Sequence, residues 1–246
     1  MSRHRERLSG ALWSPAPEYA VHHGFNARNW ASAVNCDGRY GVGLLAACAV
    51  LLLPQLGGSA ATHVLRYDRT AIATGQWWRL LTAHIAHLGL HHAVLNTLGL
   101  AFLWALFVRE WRPRDWVVII LVVTAAIDGG LWFRDPQLAW YVGVSGVLHG
   151  LMAAGVVAYV RRRDPLGWVM GGLLAAKLAY EQLHGPLPFA GRGVPVVVDA
   201  HLYGASAGLL TGLLLTWLPR QAPWIGASAA AATLRRDRGD SQSRGS

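Results

Sequence analysis

Six apolar runs follow one another along the chain, separated by short polar segments. They lie at about residues 41–56, 91–108, 116–133, 144–160, 167–183 and 200–218. Most of them come close to the roughly 17–25 residues that a helix needs to cross a bilayer, and the first is the shortest. A backbone in lipid must satisfy its polar groups within its own helix. The pattern therefore predicts an all-α polytopic membrane protein with a bundle of six transmembrane helices.

Polar segments flank this bundle at both ends. Residues 1–40 are too long and too polar for the charged region of a signal peptide, and we predict that they form a cytoplasmic extension. The predicted six-helix bundle spans residues 41–219. Residues 220–246 end in RRDRGDSQSRGS and are predicted to be a disordered cytoplasmic tail.

The arginines of the chain are distributed unevenly between the predicted inner and outer segments. The chain carries a net charge of +9, from 21 arginines and a single lysine, Lys177, against 13 acidic residues. With a cytoplasmic N-terminus, sixteen arginines fall in the inner segments and five in the outer ones. This asymmetry follows the positive-inside rule. It predicts that both termini are cytoplasmic, and it removes the reason to expect a nucleic-acid partner.

Ionisable side chains within the apolar runs, or directly before them, are costly in a bilayer and mark candidate functional positions. They are His84, His87, His91, His92, Asp128, His149, Lys177, Glu181 and His201. Ser145 opens the fourth run and His201 opens the sixth. Both runs start from the outer side in the predicted topology, so these two side chains are expected at the same depth.

Small residues predict how Ser145 and His201 could meet. Gly146 and Gly150 are four apart in the fourth run, and so are Gly204 and Gly208 in the sixth. Glycines at this spacing let two membrane helices approach closely, which could bring the hydroxyl within hydrogen-bonding distance of the imidazole. A neutral imidazole activates a serine by taking its proton.

Each of these features has a structural interpretation when it is taken alone. A serine at a helix start is often an N-cap, and a single interfacial histidine is usually structural. Asp199 lies on a different helical face from His201 and is interpreted as the N-cap of the sixth helix. The GVSGV segment is not the GxSxG elbow of soluble α/β-hydrolases, because position 147 is a valine.

The motifs in combination resemble the rhomboid family of intramembrane serine proteases. They are Trp78–Arg79, Thr82, His87, HAVLN from His92 to Asn96, GVSG from Gly143 to Gly146, and AHLYGASAG from Ala200 to Gly208. The resemblance covers roughly residues 76–218 and implies a six-helix bundle that needs no cofactor. It implies that Ser145 is the nucleophile, His201 the general base, and His92 and Asn96 the oxyanion donors. It further implies a supporting role for Gly143, Gly146 and Gly204, and a structural one for His87.

A narrower resemblance is to the rhombosortase branch of that family. It is carried by VGVSGVLHGL, by KLAYEQ from Lys177 to Gln182, and by VVVDAHLYGA. It implies a bacterial inner-membrane protease, with its site open to the periplasm, that removes C-terminal Gly-Gly-type sorting anchors from exported membrane-anchored proteins. His149 would stack on the catalytic histidine. Lys177 and Glu181, four residues apart, would neutralise each other. They are interpreted as structural residues, with recognition of the substrate as the alternative. Asp128 is interpreted as a structural residue that could hydrogen-bond a neighbouring helix.

Three other functions are alternatives to this one. His84, His87 and His91 would share one face of a continuous helix and could bind a metal, although a di-iron enzyme needs more histidine boxes. A rhomboid-like pseudoprotease would bind membrane helices without cutting them, but such proteins usually lack the serine or the histidine. A transporter would explain buried polar residues but not the order of the motifs.

Overall fold

A computed structural model describes residues 41–188 and 196–217, which form a helical bundle and one short two-stranded sheet. The helices are α1 Gly41–Leu52, α2 Gly58–Leu65, α3 Arg69–Ala73, α4 Arg79–Thr82, α5 Gly89–Phe107, α6 Pro113–Phe133, α7 Ser145–Arg161, α8 Pro165–His184 and α9 Val198–Trp217. A 3-10 helix, Leu53–Gly57, joins α1 to α2. Two strands, β1 Tyr67–Asp68 and β2 Trp140–Tyr141, pair antiparallel with Tyr67 opposite Tyr141.

Each of the six predicted runs overlaps a helix, and within residues 41–188 and 196–217 four segments are both long and apolar enough to cross a membrane. They are Gly41–Leu65, α5, α6 and α9. Helix α7 is apolar but only 17 residues long. Helix α8 has 20 residues, and its Lys177, Glu181 and Gln182 lower its hydropathy. The chain is an integral helical membrane protein, and the count of six spans stays a prediction. The predicted extension 1–40 and tail 220–246 lie outside the described residues.

Helix α7 lies at the centre of the bundle, where it contacts α5, α6, α8 and α9. Its buried positions include Gly150, Ala154 and Gly155, which leave room for its neighbours. The outward faces of α5, α6 and α9 carry exposed leucines, valines and isoleucines. An apolar exterior around a central helix rich in small residues is the arrangement expected in lipid, where close packing replaces the hydrophobic effect.

Helices α7 and α9 cross in near backbone contact through glycines. A Cβ atom added at Gly204 would overlap the carbonyl oxygen of Gly146, and one added at Gly208 would overlap that of Gly150. A Cβ at Gly146 would lie 2.8 Å from the Ala200 carbonyl oxygen. The predicted glycine stripes therefore face each other, and they draw together the helix starts that carry Ser145 and His201.

Arginines anchor the segment between α1 and α5 to this same end of the bundle. The Arg69 guanidinium donates to the carbonyls of Leu131, Trp132, Asp135 and Leu138, at and beyond the end of α6. Arg79 donates to the carbonyls of His63 and Arg66. Carbonyls at a helix C-terminus have no partner within the helix, so Arg69 satisfies groups that the bundle would otherwise leave open.

Candidate active site

Ser145 and His201 meet where α7 and α9 begin. Ser145 is the first residue of α7, and His201 is the fourth of α9. The Ser145 Oγ lies 3.0 Å from the His201 Nε2. His201 is only 4% exposed, whereas Ser145 is half-buried. The structure thus brings together the two side chains that the predicted topology places at one depth and that the glycine spacing allows to meet. Asp199 lies within the first turn of α9, so its interpretation as the N-cap was wrong.

Glu181 of α8 binds the other nitrogen of the same ring. Its Oε2 lies 2.9 Å from the His201 Nδ1, and the residue is 1% exposed. A carboxylate can only accept, so Nδ1 carries the hydrogen in this contact. In the neutral ring, Nε2 is then left with a lone pair that accepts from the Ser145 hydroxyl. The carboxylate therefore selects the tautomer that can take a proton from the serine.

Lys177 forms an ion pair with the second oxygen of Glu181. Its Nζ lies 2.6 Å from Oε1, one helical turn earlier on α8. The lysine side chain is 29% exposed, while that of the glutamate is fully buried. The expected neutralisation is present, but the interpretation of Glu181 as a purely structural residue missed its bond to His201.

His149 covers the ring of His201. The two ring centroids are 4.1 Å apart, with planes inclined by 17°, as expected from the sequence. The His149 Nδ1 also lies 2.7 Å from the Ser145 carbonyl oxygen and donates to it. One side chain therefore restrains the position of the histidine and the main chain of the serine.

The loop before Ser145 is held in a conformation that requires glycine. Gly143 has a φ of +118°, which L side chains rarely adopt. Its N–H donates to the Ala83 carbonyl at 2.9 Å, and its own carbonyl accepts from the Tyr141 hydroxyl at 2.6 Å. A Cβ at Gly143 would lie 3.2 Å from the His92 ring. Gly143 therefore allows His92 to lie against the approach to Ser145.

His92 and Asn96 lie one turn apart on α5. The His92 Nδ1 accepts from the Leu88 N–H in a long contact of 3.4 Å, so the neutral ring carries its hydrogen on Nε2. That nitrogen is on the side of the ring near Gly143. Asn96 is buried, and its Nδ2 donates to the His92 carbonyl at 3.2 Å. An amide nitrogen carries two hydrogens, so this bond uses one of them. The oxyanion role of these residues stays a prediction.

The three histidines proposed as a metal face do not share a helix. The chain turns between α4 and α5, so the continuous helix assumed over residues 84–91 is absent and that premise was wrong. His84 pairs with Asp128 of α6 at 3.2 Å, His87 donates from Nδ1 to the Ile85 carbonyl at 3.1 Å, and His91 is exposed. Burial, with a smaller contribution from His92, lowers the pKa of His87 to about 4, so this ring is neutral. Asp128 does bond a neighbouring segment, as expected.

Within residues 41–188 and 196–217, one group of side chains has the spacing of metal ligands. It consists of His149, Glu181 and His201, with donor atoms within 4.8 Å of one another. The two imidazoles are nearly parallel, however, so their in-plane lone pairs do not converge on one point. Both nitrogens of His201 are also hydrogen-bonded. The geometry fits proton transfer from Ser145 to His201, with Glu181 hydrogen-bonded to the other ring nitrogen, better than metal ligation.

The fold and this site define a helical membrane protein in which a serine, a histidine and a carboxylate are hydrogen-bonded in series. The chain belongs to the rhomboid family, because the model for the Rhomboid domain matches residues 74–218, more than half of its length.

Curated relatives include bacterial and plant proteins. YdcA of Bacillus subtilis (strain 168) is 25% identical over 144 residues, which cover 58% of this chain and 69% of that protein. Rhomboid protease GluP of the same strain is 31% identical over 109 residues, 42% of this chain and 21% of GluP. Rhomboid-like protein 16, chloroplastic, of Arabidopsis thaliana is 26% identical over 149 residues, 57% of this chain and 46% of that protein. The chain thus spans less than half of the last two relatives.

Proposed function

We propose that this protein is an intramembrane serine endopeptidase that uses Ser145 as nucleophile and His201 as general base. The observation that carries the proposal is the 3.0 Å contact between the Ser145 Oγ and the His201 Nε2. The rhomboid domain and relatives named as rhomboid proteases support the same class of reaction. Rhomboid proteases act on membrane-protein substrates within the bilayer.

The reaction proceeds through an acyl-enzyme. As the Ser145 Oγ attacks the scissile carbonyl carbon, its proton passes to the His201 Nε2. The C–N bond then breaks, and His201 gives that proton to the leaving amine. Water attacks the resulting ester, His201 takes one of its protons and returns it to the Ser145 Oγ, and the acid product leaves. No metal or organic cofactor takes part in this sequence.

Negative charge on the former carbonyl oxygen needs hydrogen-bond donors in a fixed position. We propose His92 and Asn96 for this role, together with the Ser145 main-chain N–H. Support comes from the hydrogen on the His92 Nε2, which the Leu88 contact leaves near Gly143. The buried Asn96 amide lies one turn further along the same helix.

A cleavage assay in proteoliposomes tests the proposal. The full chain would be reconstituted with a fluorescent reporter that has a single membrane helix and a soluble outer domain. We expect the wild-type protein to release the outer domain, and Ser145→Ala and His201→Ala to release none while remaining folded and inserted. Release by either variant at the wild-type rate would contradict the mechanism. Reporter binding without cleavage by the wild-type protein would favour a rhomboid-like pseudoprotease.

The substrate class that we propose is an exported protein held by a C-terminal anchor of Gly-Gly type, with a hydrophobic helix and a basic tail. A scissile bond in a helix is shielded by the backbone, and glycine weakens the helix by about 1 kcal/mol per residue. The resemblance of VGVSGVLHGL, KLAYEQ and VVVDAHLYGA to the rhombosortase branch supports this class. Reporters with Gly-Gly or Leu-Leu before the anchor helix test it. Equal cleavage of both would contradict a Gly-Gly requirement.

The same proposal places the protein in a bacterial inner membrane with both termini in the cytoplasm. The site would then open toward the periplasm, at the end of the bundle where α7 and α9 begin. The arginine distribution supports this orientation. The turns Val108–Arg112 and Arg161–Asp164, at the opposite end, hold five arginines: Arg109, Arg112, Arg161, Arg162 and Arg163.

A further inference from the structure

We propose that Glu181 is a positioning residue for catalysis, the third member of a Ser145–His201–Glu181 series, and that Lys177 holds its carboxylate in place. The inference rests on the proposed protease function and adds to it a residue whose spacing suggested only a structural ion pair. The proposed site then uses four side chains, those of Ser145, His201, Glu181 and Lys177, in place of the serine and the histidine alone.

The two oxygens of Glu181 have different partners, which argues against a simple counterion role. Oε1 lies 2.6 Å from the Lys177 Nζ, and Oε2 lies 2.9 Å from the His201 Nδ1. A glutamate needed only to neutralise Lys177 would not have to reach a second helix. Burying a carboxylate fully is expensive unless it is paired and hydrogen-bonded. Both conditions are met here, one by each oxygen.

The carboxylate can act on His201 in two ways. It fixes the tautomer with hydrogen on Nδ1, so that Nε2 is free to accept from Ser145. It also stabilises the imidazolium that forms when the serine proton is transferred. Lys177 keeps the carboxylate ionised and prevents it from rotating away from the ring. These are contributions to the transition state, so their loss would lower kcat more than it raises KM.

Other groups around His201 bear on its charge. In the described part of the chain, the titratable or charged groups near its ring are His149 on α7, Glu181 and Lys177 on α8, and His92 on α5, with Asp199 two residues earlier on α9. Glu181 is the acidic group in direct contact with the ring. Removing its charge should therefore act on the protonation of His201 specifically.

The test compares Glu181→Gln with wild type, measuring Ser145 labelling by a fluorophosphonate probe across a series of probe concentrations. We expect the limiting rate constant for labelling to fall by about 10²–10⁴-fold, as for loss of the third member of a soluble serine-protease triad. We expect the half-saturating probe concentration to change little, because Glu181 acts on the transition state and not on probe binding. Thermal unfolding in detergent would verify that the variant remains folded.

Two further variants separate positioning from simple neutralisation. Lys177→Met removes the ammonium and leaves Glu181 on His201, so labelling should fall by less than in Glu181→Gln. The double variant Lys177→Met/Glu181→Gln has no unpaired charge at this position. If Glu181 only neutralises Lys177, the double variant recovers the wild-type rate constant, and the inference is overturned. If Glu181 positions His201, the double variant stays as slow as Glu181→Gln.

Failure of this inference is distinguishable from failure of the protease proposal. Labelling of Ser145 in the wild type, with an unchanged limiting rate constant in Glu181→Gln, would leave the protease proposal standing and remove Glu181 from it. A wild-type protein that the probe does not label at Ser145 would overturn both.

Discussion

At the scale of single residues, hydrogen bonds to the polar side chains around it hold Ser145 in position. Its hydroxyl donates to His201, and its carbonyl accepts from His149. The preceding Gly143 is fixed by Ala83 and Tyr141. Ser145, the proposed nucleophile, is therefore held through its side chain, its own main chain and the loop that precedes it. Such preorganisation matters because misplacement of a reacting atom by about 1 Å can cost roughly 100-fold in rate.

Replacement of Asn96 tests the oxyanion site. Asn96→Ala should lower kcat by about 10²–10³-fold if its amide is the main side-chain donor, and by less if His92 compensates. KM for a membrane-anchored reporter should change little, because the oxyanion exists only in the transition state. Steady-state cleavage in proteoliposomes would measure both constants. An effect on KM alone would contradict this role.

His87 should make stability depend on pH. Burial lowers its pKa to about 4 from the ordinary value of 6.5, so between these values the unfolded chain binds the proton and the folded protein does not. The free energy of unfolding should therefore be full above about pH 6.5 and decline as the pH falls toward 4. His87→Gln should flatten this slope in thermal unfolding. His91→Gln, at an exposed histidine, is the matched control and should preserve it.

The sequence predicts the contact between Ser145 and His201 but not all of its partners. Ser145 and His201 were predictable, because the family motifs and the glycine stripes on their two helices point to the same contact. Glu181 was found only as a partner of Lys177, since a spacing of four along one helix does not say which other helix that face meets. His84 was assigned to a helical face that the turn between α4 and α5 interrupts, so its contact with Asp128 was not foreseen.

At the scale of elements, the crossing of α7 and α9 decides whether the site exists. The glycine contacts at Gly146 and Gly150 let the two backbones touch, and the side chains of Ser145 and His201 bridge the remaining gap. Helices α1 and α5–α9 were predictable from the apolar runs, and their ends lie within a few residues of the predicted ones. The short elements α2, α3 and α4 were not, because hydrogen bonds from Arg69, Arg79 and Thr82 to distant carbonyls hold that segment.

Gly204→Ala tests this crossing. Its new methyl group would overlap the Gly146 carbonyl, so the helices must separate or shift. We expect a cost of about 1–3 kcal/mol in stability and a loss of cleavage activity of roughly 100-fold, because Ser145 and His201 move apart. Gly172→Ala, where a Cβ meets nothing within 4 Å, is the control. Equal activity of Gly204→Ala and the control would contradict a requirement for close approach.

At the scale of the whole molecule, arginines serve different purposes at the two ends of the bundle. At the end that carries the site, Arg69 and Arg79 are engaged by main-chain carbonyls, and Arg66 pairs with Asp68. At the opposite end, Arg161, Arg162 and Arg163 are exposed, and Arg162 also pairs with Glu110. This exposed cluster has the character of a topological signal, which supports the predicted orientation.

Thiol accessibility in intact cells tests that orientation. Single cysteines would replace the exposed Gln137, near the site, and the exposed Arg161, at the other end, in a background lacking Cys36 and Cys48. A membrane-impermeant maleimide should label the cysteine at position 137 and not the one at 161. The reverse pattern would contradict cytoplasmic termini, and labelling of both would contradict a membrane-spanning α7.

The central claim is that His201 activates Ser145, and mapping the residue labelled by a fluorophosphonate probe tests it most directly. Wild-type protein in native membranes would be compared with Ser145→Ala and His201→Ala, and the modified peptide would be identified by mass spectrometry. The proposed mechanism predicts modification of Ser145 in the wild type and of neither variant. Equal labelling of all three proteins, or modification at another residue, would contradict it.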